Sequence, residues 1–266
     1  MHSWHCGVVM NARDEDNVIG ACLRSLRDQT VKLFLVVVND GSVDRTREVA
    51  LRYADAIVDL PRHEDSWAGQ PKLARVINAG FDVLKEGNID CVLISGADAV
   101  YPSNYVEEVI NRMERECIVL ASGVAEGEVS RSLSPRGCGR VIDAEWFEEV
   151  GFRYPENYGF EAYLVYKALS QGKRVAVFKN PKFKLSRETR LSKRKLYLWG
   201  KGMKALNYLW LYALGRSVLN GLRHPVGGYW MLRGYLSKVP QYKDLEEFVP
   251  SFQREIFLER MREVLL

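Results

Sequence analysis

Val36-Val37-Val38-Asn39-Asp40-Gly41-Ser42-Val43-Asp44-Arg45-Thr46 decides the fold of this chain. A β-branched apolar run stops abruptly at Asn-Asp-Gly-Ser, and a helix-like segment begins at once. The run predicts a strand buried on both faces, as in a parallel sheet. Asp-Gly supplies a tight turn, and Ser42 or Asp44 is placed to cap the helix that follows. In open α/β sheets ligands bind beyond the carboxyl ends of the strands. Asp40 is therefore an acidic acceptor held at a ligand-binding edge.

Working outward, the same alternation repeats. Cys6–Asn11, Leu33–Asn39, Ala56–Leu60, Asp90–Ser95 and Arg174–Phe178 read as strands. Between the first two, Val18, Cys22, Leu23 and Leu26 recur at helical spacing. Further helices are predicted over Thr46–Tyr53, from Pro71 with Leu73, Val76, Ile77 and Phe81 as its apolar stripe, and from Pro102 to Arg115. Beyond Ile118 come a Gly- and Ser-rich loop (126–139), a short helix (143–150) and a helix over Phe160–Gln171 with Gly172 as its C-terminal cap. The pattern predicts an α/β fold: a mostly parallel sheet with helices on both faces.

A chain of 266 residues, 47% of them hydrophobic, buries one substantial core with room for an appended segment. Its five cysteines are odd in number and widely spaced, without a Cys-x-x-Cys pair, so they read as free thiols in a reducing cytosol. The first residues lack the basic and apolar regions of a signal peptide. A net charge of +4 is too mild for a dedicated nucleic-acid binder. No Walker loop, Gly-x-Ser-x-Gly elbow or Gly-x-Gly-x-x-Gly fingerprint appears, and the histidines are scattered, which removes the usual support for ATPase, hydrolase and dinucleotide-enzyme readings.

Val38 to Thr46 resembles the nucleotide-sugar-binding signature of the family 2 glycosyltransferases, inverting enzymes of GT-A fold. Three more motifs flank it in the right order: Met10-Asn11-Ala12-Arg13-Asp14-Glu15 before it at the first strand end, then Asn78-Ala79-Gly80 closing the segment from Gly69, and Gly96-Ala97-Asp98 with Pro102 after it. The resemblance covers about residues 5 to 180, and the expected domains are a GT-A-like catalytic domain over 1–180 and a basic, aromatic helical extension over 181–266.

Carried over residue by residue, the resemblance implies that Ala12, Arg13, Glu15, Asp40, Lys72 and Asp98 bind the nucleotide sugar. Asp98 matches the second acid of an Asp-x-Asp motif and implies a divalent metal, Mg²⁺ or Mn²⁺, on the donor diphosphate. Gly96 stands where the first acid is expected. Glu161 matches the catalytic base, ahead of Gly172 in a helix, with Phe160 replacing the acid normally before it. Each residue also has a plainer reading. Asp98 caps the helix near Pro102, Asp40 closes its own turn, Glu15 and Glu161 favour helix dipoles, and Lys72 is solvated. Arg136 and Arg140 are weaker candidates for acceptor or diphosphate contacts.

The implied function is sugar transfer from a nucleotide-diphosphate donor to a glycan or polyprenyl-linked acceptor. Two alternatives stand beside it: a nucleotidyltransferase making a nucleotide sugar, and a non-catalytic sugar-nucleotide or glycan-binding module. Residues 182–215 form a second signal, a basic cluster running into Trp, Tyr and Leu. The apolar run 205–215 is too short to cross a bilayer. The segment reads as a peripheral contact with the inner face of the cell membrane or as helices packed on the protein, with a nucleic-acid surface as a third, weaker reading because the basic residues form no recognisable motif. The expected location is cytoplasmic.

Overall fold

The computed structural model describes residues 4–128, 133–187, 192–223 and 225–265. Two compact units interleave along the chain: Met1–Ser66, Arg75–Tyr154 and Gln171–Glu188 make the first, and Trp67–Ala74, Pro155–Ser170 and Thr189–Leu266 the second.

The first unit holds the sheet. Its strands are β1 (Cys6–Ala12), β2 (Leu33–Asp40), β3 (Ala56–Leu60), β4 (Cys91–Gly96), β5 (Ala99–Val100), β6 (Ile118–Ala125), β7 (Arg140–Asp143) and β8 (Arg174–Leu185). They lie in the order β3-β2-β1-β4-β7-β6-β8-β5. β3, β2, β1 and β4 run parallel. β7 pairs antiparallel with β4 and with β6, and β6 pairs parallel with β8. The α/β class and GT-A-like architecture are those expected, and the parallel character is concentrated in the half carrying the motifs. Val36, Val37 and Val38 are fully buried, as a strand covered on both faces requires.

Helices α1 (Ile19–Arg27), α2 (Thr46–Ala50), α3 (Pro71–Leu84), α4 (Tyr105–Glu116) and α5 (Ala144–Glu149) cover this sheet, α3 from Arg75 onward. The Asn-x-Gly motif has a packing cause. A Cβ at Gly80 would stand 2.5 Å from Val9 and 3.0 Å from Val38, so only glycine lets α3 press on the sheet there. Asn78 donates to the Tyr154 carbonyl at 2.9 Å and accepts its N–H at 2.8 Å, fixing the chain after α5. Phe81, Phe147, Phe152 and Tyr154 then fill the space with tilted and edge-on rings.

Several boundaries differ from expectation. α2 stops at Ala50 rather than Tyr53, because the chain must reverse into β3, where Asp55 exchanges hydrogen bonds with Leu35. α4 starts at Tyr105, three residues after Pro102. β8 runs to Leu185, its register against β6 shifting between Val177 and Lys182, where a strand to Phe178 was expected. Lys182 and Lys184 are thus strand residues.

The second unit is helical: α6 (Phe160–Ser170), α7 (Lys193–Ala205), α8 (Trp210–Arg223), α9 (Pro225–Tyr235), a 3₁₀ turn at Lys243–Leu245 and α10 (Phe248–Leu265). The apolar run 205–215 is broken by a turn in which Asn207 takes φ +59° and donates to the Tyr242 carbonyl at 2.7 Å. Among the described residues no helix is long and apolar enough to cross a membrane.

Candidate active site

Strand register sets the site. Ala12 lies opposite Asn39, Asn11 opposite Gly96, and Asp40 opposite Leu60, so the carboxyl ends of four parallel strands finish level. The loops leaving them carry the motif residues.

Ser42, Asp44 and Thr46 fasten the loop after β1. Ser42 Oγ accepts the Asp14 N–H at 3.1 Å, Thr46 Oγ1 accepts the Glu15 N–H at 2.7 Å, and Asp44 Oδ2 accepts the Asp16 N–H at 3.0 Å. Asp44 Oδ1 also takes the Thr46 N–H at 2.9 Å, so of the two candidate caps Asp44 serves the start of α2 and Ser42 does not. In return Asp14, at φ +53°, accepts the Val43 N–H at 2.9 Å. That bond, with the Arg62 guanidinium beside it, holds the Asp14 carboxyl below its ordinary range. Four hydrogen bonds therefore tie the two loops to each other.

Asp40 is 6% exposed and faces His63, whose ring Nε2 lies 3.0 and 3.1 Å from its two carboxylate oxygens. The other ring nitrogen, Nδ1, lies against the Asp65 carbonyl, and Arg13 Nη1 stands 2.6 Å from Nδ1 and 2.9 Å from Nε2. Arg13 also donates to the carbonyls of His63 and Asp65. Its guanidinium pins the loop after β3 against the Asp40 edge.

A second cluster forms around Arg187. Its Nη2 stands 2.6 Å from each carboxylate oxygen of Glu15, and its Nε lies 3.7 Å from Asp98 Oδ2. Glu15 raises the pKa of Arg187, so the guanidinium stays charged. The two-residue strand β5 makes this possible: Ala99 pairs with Leu185, and the Asp98 carbonyl accepts the Ser186 N–H at 2.8 Å. Asp98 caps no helix, because α4 begins seven residues later without a side-chain cap. A Cβ at Gly96 would meet Asp98 Oδ1 at 3.1 Å and Cys138 Sγ at 3.4 Å, so the place of a first acid is already tight.

The implied divalent cation can be tested against these groups. Among the described residues no set of three or more His, Cys, Asp or Glu is placed to hold a metal. Mg²⁺ ordinarily takes one or two carboxylates and completes its shell with phosphate oxygens and water. Asp98, with Glu15 on the same guanidinium, fits such a diphosphate-borne ion rather than a protein cage.

Lys72 and Glu161 belong to the second unit. Lys72 Nζ sits 5.3 Å from the centre of the Trp67 ring. Glu161 is exposed on the first turn of α6, which starts after Gly159 at φ +72° and is followed by Gly172 at φ +69°. Arg140 does not serve as an acceptor or diphosphate contact: it is buried and donates to Pro135 O at 2.7 Å, Arg136 O at 3.0 Å and Tyr154 Oη at 3.1 Å. Arg136 pairs with Glu128.

The sequence profile of Glycosyl transferase family 2 matches residues 7–169, the span that carries Glu15, Asp40, His63, Asp98 and Glu161 but not Arg187. The chain belongs to that family. A stretch of 64 residues is 38% identical to a 4,4'-diaponeurosporenoate glycosyltransferase of Staphylococcus aureus, spanning 24% of this chain and only 17% of that relative. Among solved structures, S. aureus TarS 1-349 in complex with UDP-GlcNAc aligns with TM-score 0.57 at 15% identity, over 74% of this chain and 65% of that one. The mannosyltransferase PcManGT of Pyrobaculum calidifontis, in complex with GDP-Man and Mn²⁺, aligns with TM-score 0.60 at 16% identity, over 88% and 72%. At such identities the likeness is one of fold.

Two functional candidates escaped sequence reasoning. His63 follows Leu60, the residue level with Asp40, so β3's register was the signal that places it. Arg187 was read as part of a basic tail, and only the short strand β5 brings it to Asp98.

Proposed function

We propose that this family 2 member is an inverting glycosyltransferase that moves a sugar from a nucleotide-diphosphate donor to the hydroxyl of a glycan or polyprenyl-linked acceptor. The observation that carries the reading is the gathering of Asp40, Glu15, Asp98 and Arg187 at the carboxyl ends of the parallel strands. The fold neighbours that hold UDP-GlcNAc and GDP-Man support a donor of this class.

Asp40 accepts an N–H of the nucleotide base, and His63 holds its carboxylate in place. Ala12 and Arg13 border the nucleoside, and Lys72 is a further donor contact. Arg187 donates to the diphosphate, a planar cation suited to phosphate oxygens. Asp98 is the carboxylate for Mg²⁺ or Mn²⁺, which when bound would offset the charge growing on the departing diphosphate. Glu161 takes the proton of the acceptor hydroxyl as its oxygen bonds to the anomeric carbon and the bond to the diphosphate breaks. Attack opposite the leaving group inverts the anomeric configuration.

A panel of UDP- and GDP-sugars read by thermal shift tests the donor class, since a bound donor raises the melting temperature by mass action. Donor hydrolysis measured with and without Mn²⁺ tests turnover. A chain that binds a nucleotide sugar without turnover would be a non-catalytic sugar-nucleotide-binding module, and one that does neither overturns the reading.

A further inference from the structure

The strongest feature outside the donor site lies in the second unit, in α8 and α9. An ordinary amphipathic helix turns its apolar stripe inward. α8 does the reverse. Ala213 and Ser217 are buried, whereas Leu211, Val218, Leu219 and Leu222 recur at helical spacing on the outer face, Leu219 65% and Leu222 78% exposed. α9 continues the surface with exposed Val226 and Tyr229, and Trp210 is exposed at the start of α8.

Small residues explain why the inner faces are spent. A Cβ at Gly228 would stand 2.5 Å from the Ser217 carbonyl, and one at Gly200 2.0 Å from the Met231 carbonyl. Backbone meets backbone at α7–α9 and α8–α9, leaving the large apolar side chains to point out.

Charge says what covers them. Residues 189–243 contain eleven Lys and Arg, and all 34 Asp and Glu of the chain lie outside that stretch. Aromatic rings accompany the cations: Arg233 lies 4.9 Å from the Trp230 ring centre and Lys195 5.7 Å from that of Trp199. Apolar side chains flanked by basic groups and Trp or Tyr suit the headgroup layer of an anionic bilayer. A protein partner would have to supply an acidic, apolar groove of matching length.

We propose that the outer face of α8 and α9 docks on an anionic lipid surface, lying in its headgroup layer. This surface overlaps the 182–215 segment singled out in the sequence at Trp210 and Leu211 and departs from it at both ends: Lys182 and Lys184 belong to β8, and the exposed apolar face runs on to Tyr229.

The test is co-sedimentation of the full chain with phosphatidylcholine vesicles and with vesicles holding about one third phosphatidylglycerol. The wild type should bind the anionic vesicles, and binding should fall as salt rises. Leu219→Ser with Leu222→Ser should lower binding about tenfold or more, while the melting temperature stays at the wild-type value because both side chains are exposed. Wild-type protein that ignores anionic vesicles at low salt overturns the proposal. So does a double variant that binds like wild type. A wild-type dimer that the double variant converts to monomer, with no vesicle binding by either, would assign the face to a second copy of this chain. No donor is present in the assay, so its outcome stands apart from the glycosyltransferase reading.

Discussion

Arg187 Nη2 sits 2.6 Å from both carboxylate oxygens of Glu15, although 172 residues separate them in the chain. The same guanidinium reaches toward Asp98 at 3.7 Å. Its one positive charge is thus shared between two acids. A hydrogen bond to a charged group contributes about 1.5–3 kcal/mol, or roughly ten- to a hundredfold in affinity. Arg187→Ala should therefore weaken donor binding by that factor in titration calorimetry, and Arg187→Lys should recover part of it, keeping the charge but losing the fork. Unchanged donor affinity in Arg187→Ala would remove the residue from the diphosphate site.

Asp98→Ala tests the cation. The carboxylate is partly buried and caps no helix, so its loss should leave the melting temperature near wild type. Donor binding should lose its stimulation by Mn²⁺, compared with and without chelator. A variant that still responds to Mn²⁺ as wild type does would move the metal elsewhere.

How far these features were legible depends on what kind of information each needs. The Val36–Val38 run announces a doubly covered strand because burial on both faces leaves no polar alternation. Gly80 and Asn78 were visible as a motif, and the structure supplies their packing cause. The antiparallel β7 was not legible, since a four-residue strand leaves almost no periodic signal, and in β6 Ser122 and Gly123 interrupt the apolar run. The two-residue β5 left none, and Arg187 was hidden with it. On α8 the periodicity identifies the apolar stripe but not its direction. Gly228, close against Ser217, turns that stripe to the outside, and this contact exists only in three dimensions.

The paired loops at the sheet edge carry an acid-sensitive element. Asp14 accepts the Val43 N–H and lies beside Arg62, and both hold its carboxyl below the ordinary aspartate range. A depressed folded pKa contributes stability that is present above the unfolded value, near 3.9, and is lost as pH falls through the folded value. Melting temperature followed from about pH 6 to about pH 2 should fall more steeply for wild type than for Asp14→Asn. Asn tolerates the left-handed backbone at this position, so the variant changes charge without adding strain. Parallel curves for the two proteins would show that Asp14 makes no such contribution.

Glu161 is the last and sharpest test, because the chemistry needs a base and Phe160 has replaced the neighbouring acid of the family pattern. α6 presents Glu161 on an exposed first turn, set by Gly159 at φ +72° before it. Gln keeps the size and the hydrogen-bonding capacity but cannot accept the acceptor's proton. General-base assistance is worth about 10² to 10⁴ in rate, so Glu161→Gln should lower kcat by that factor while donor affinity stays at the wild-type value. That split distinguishes a base from a residue that merely starts the helix, whose loss would lower the melting temperature and leave kcat per folded enzyme intact. A Gln variant transferring sugar at the wild-type rate would exclude the role and turn attention to Glu156 or Glu145, or to an acceptor phosphate that attacks without a base.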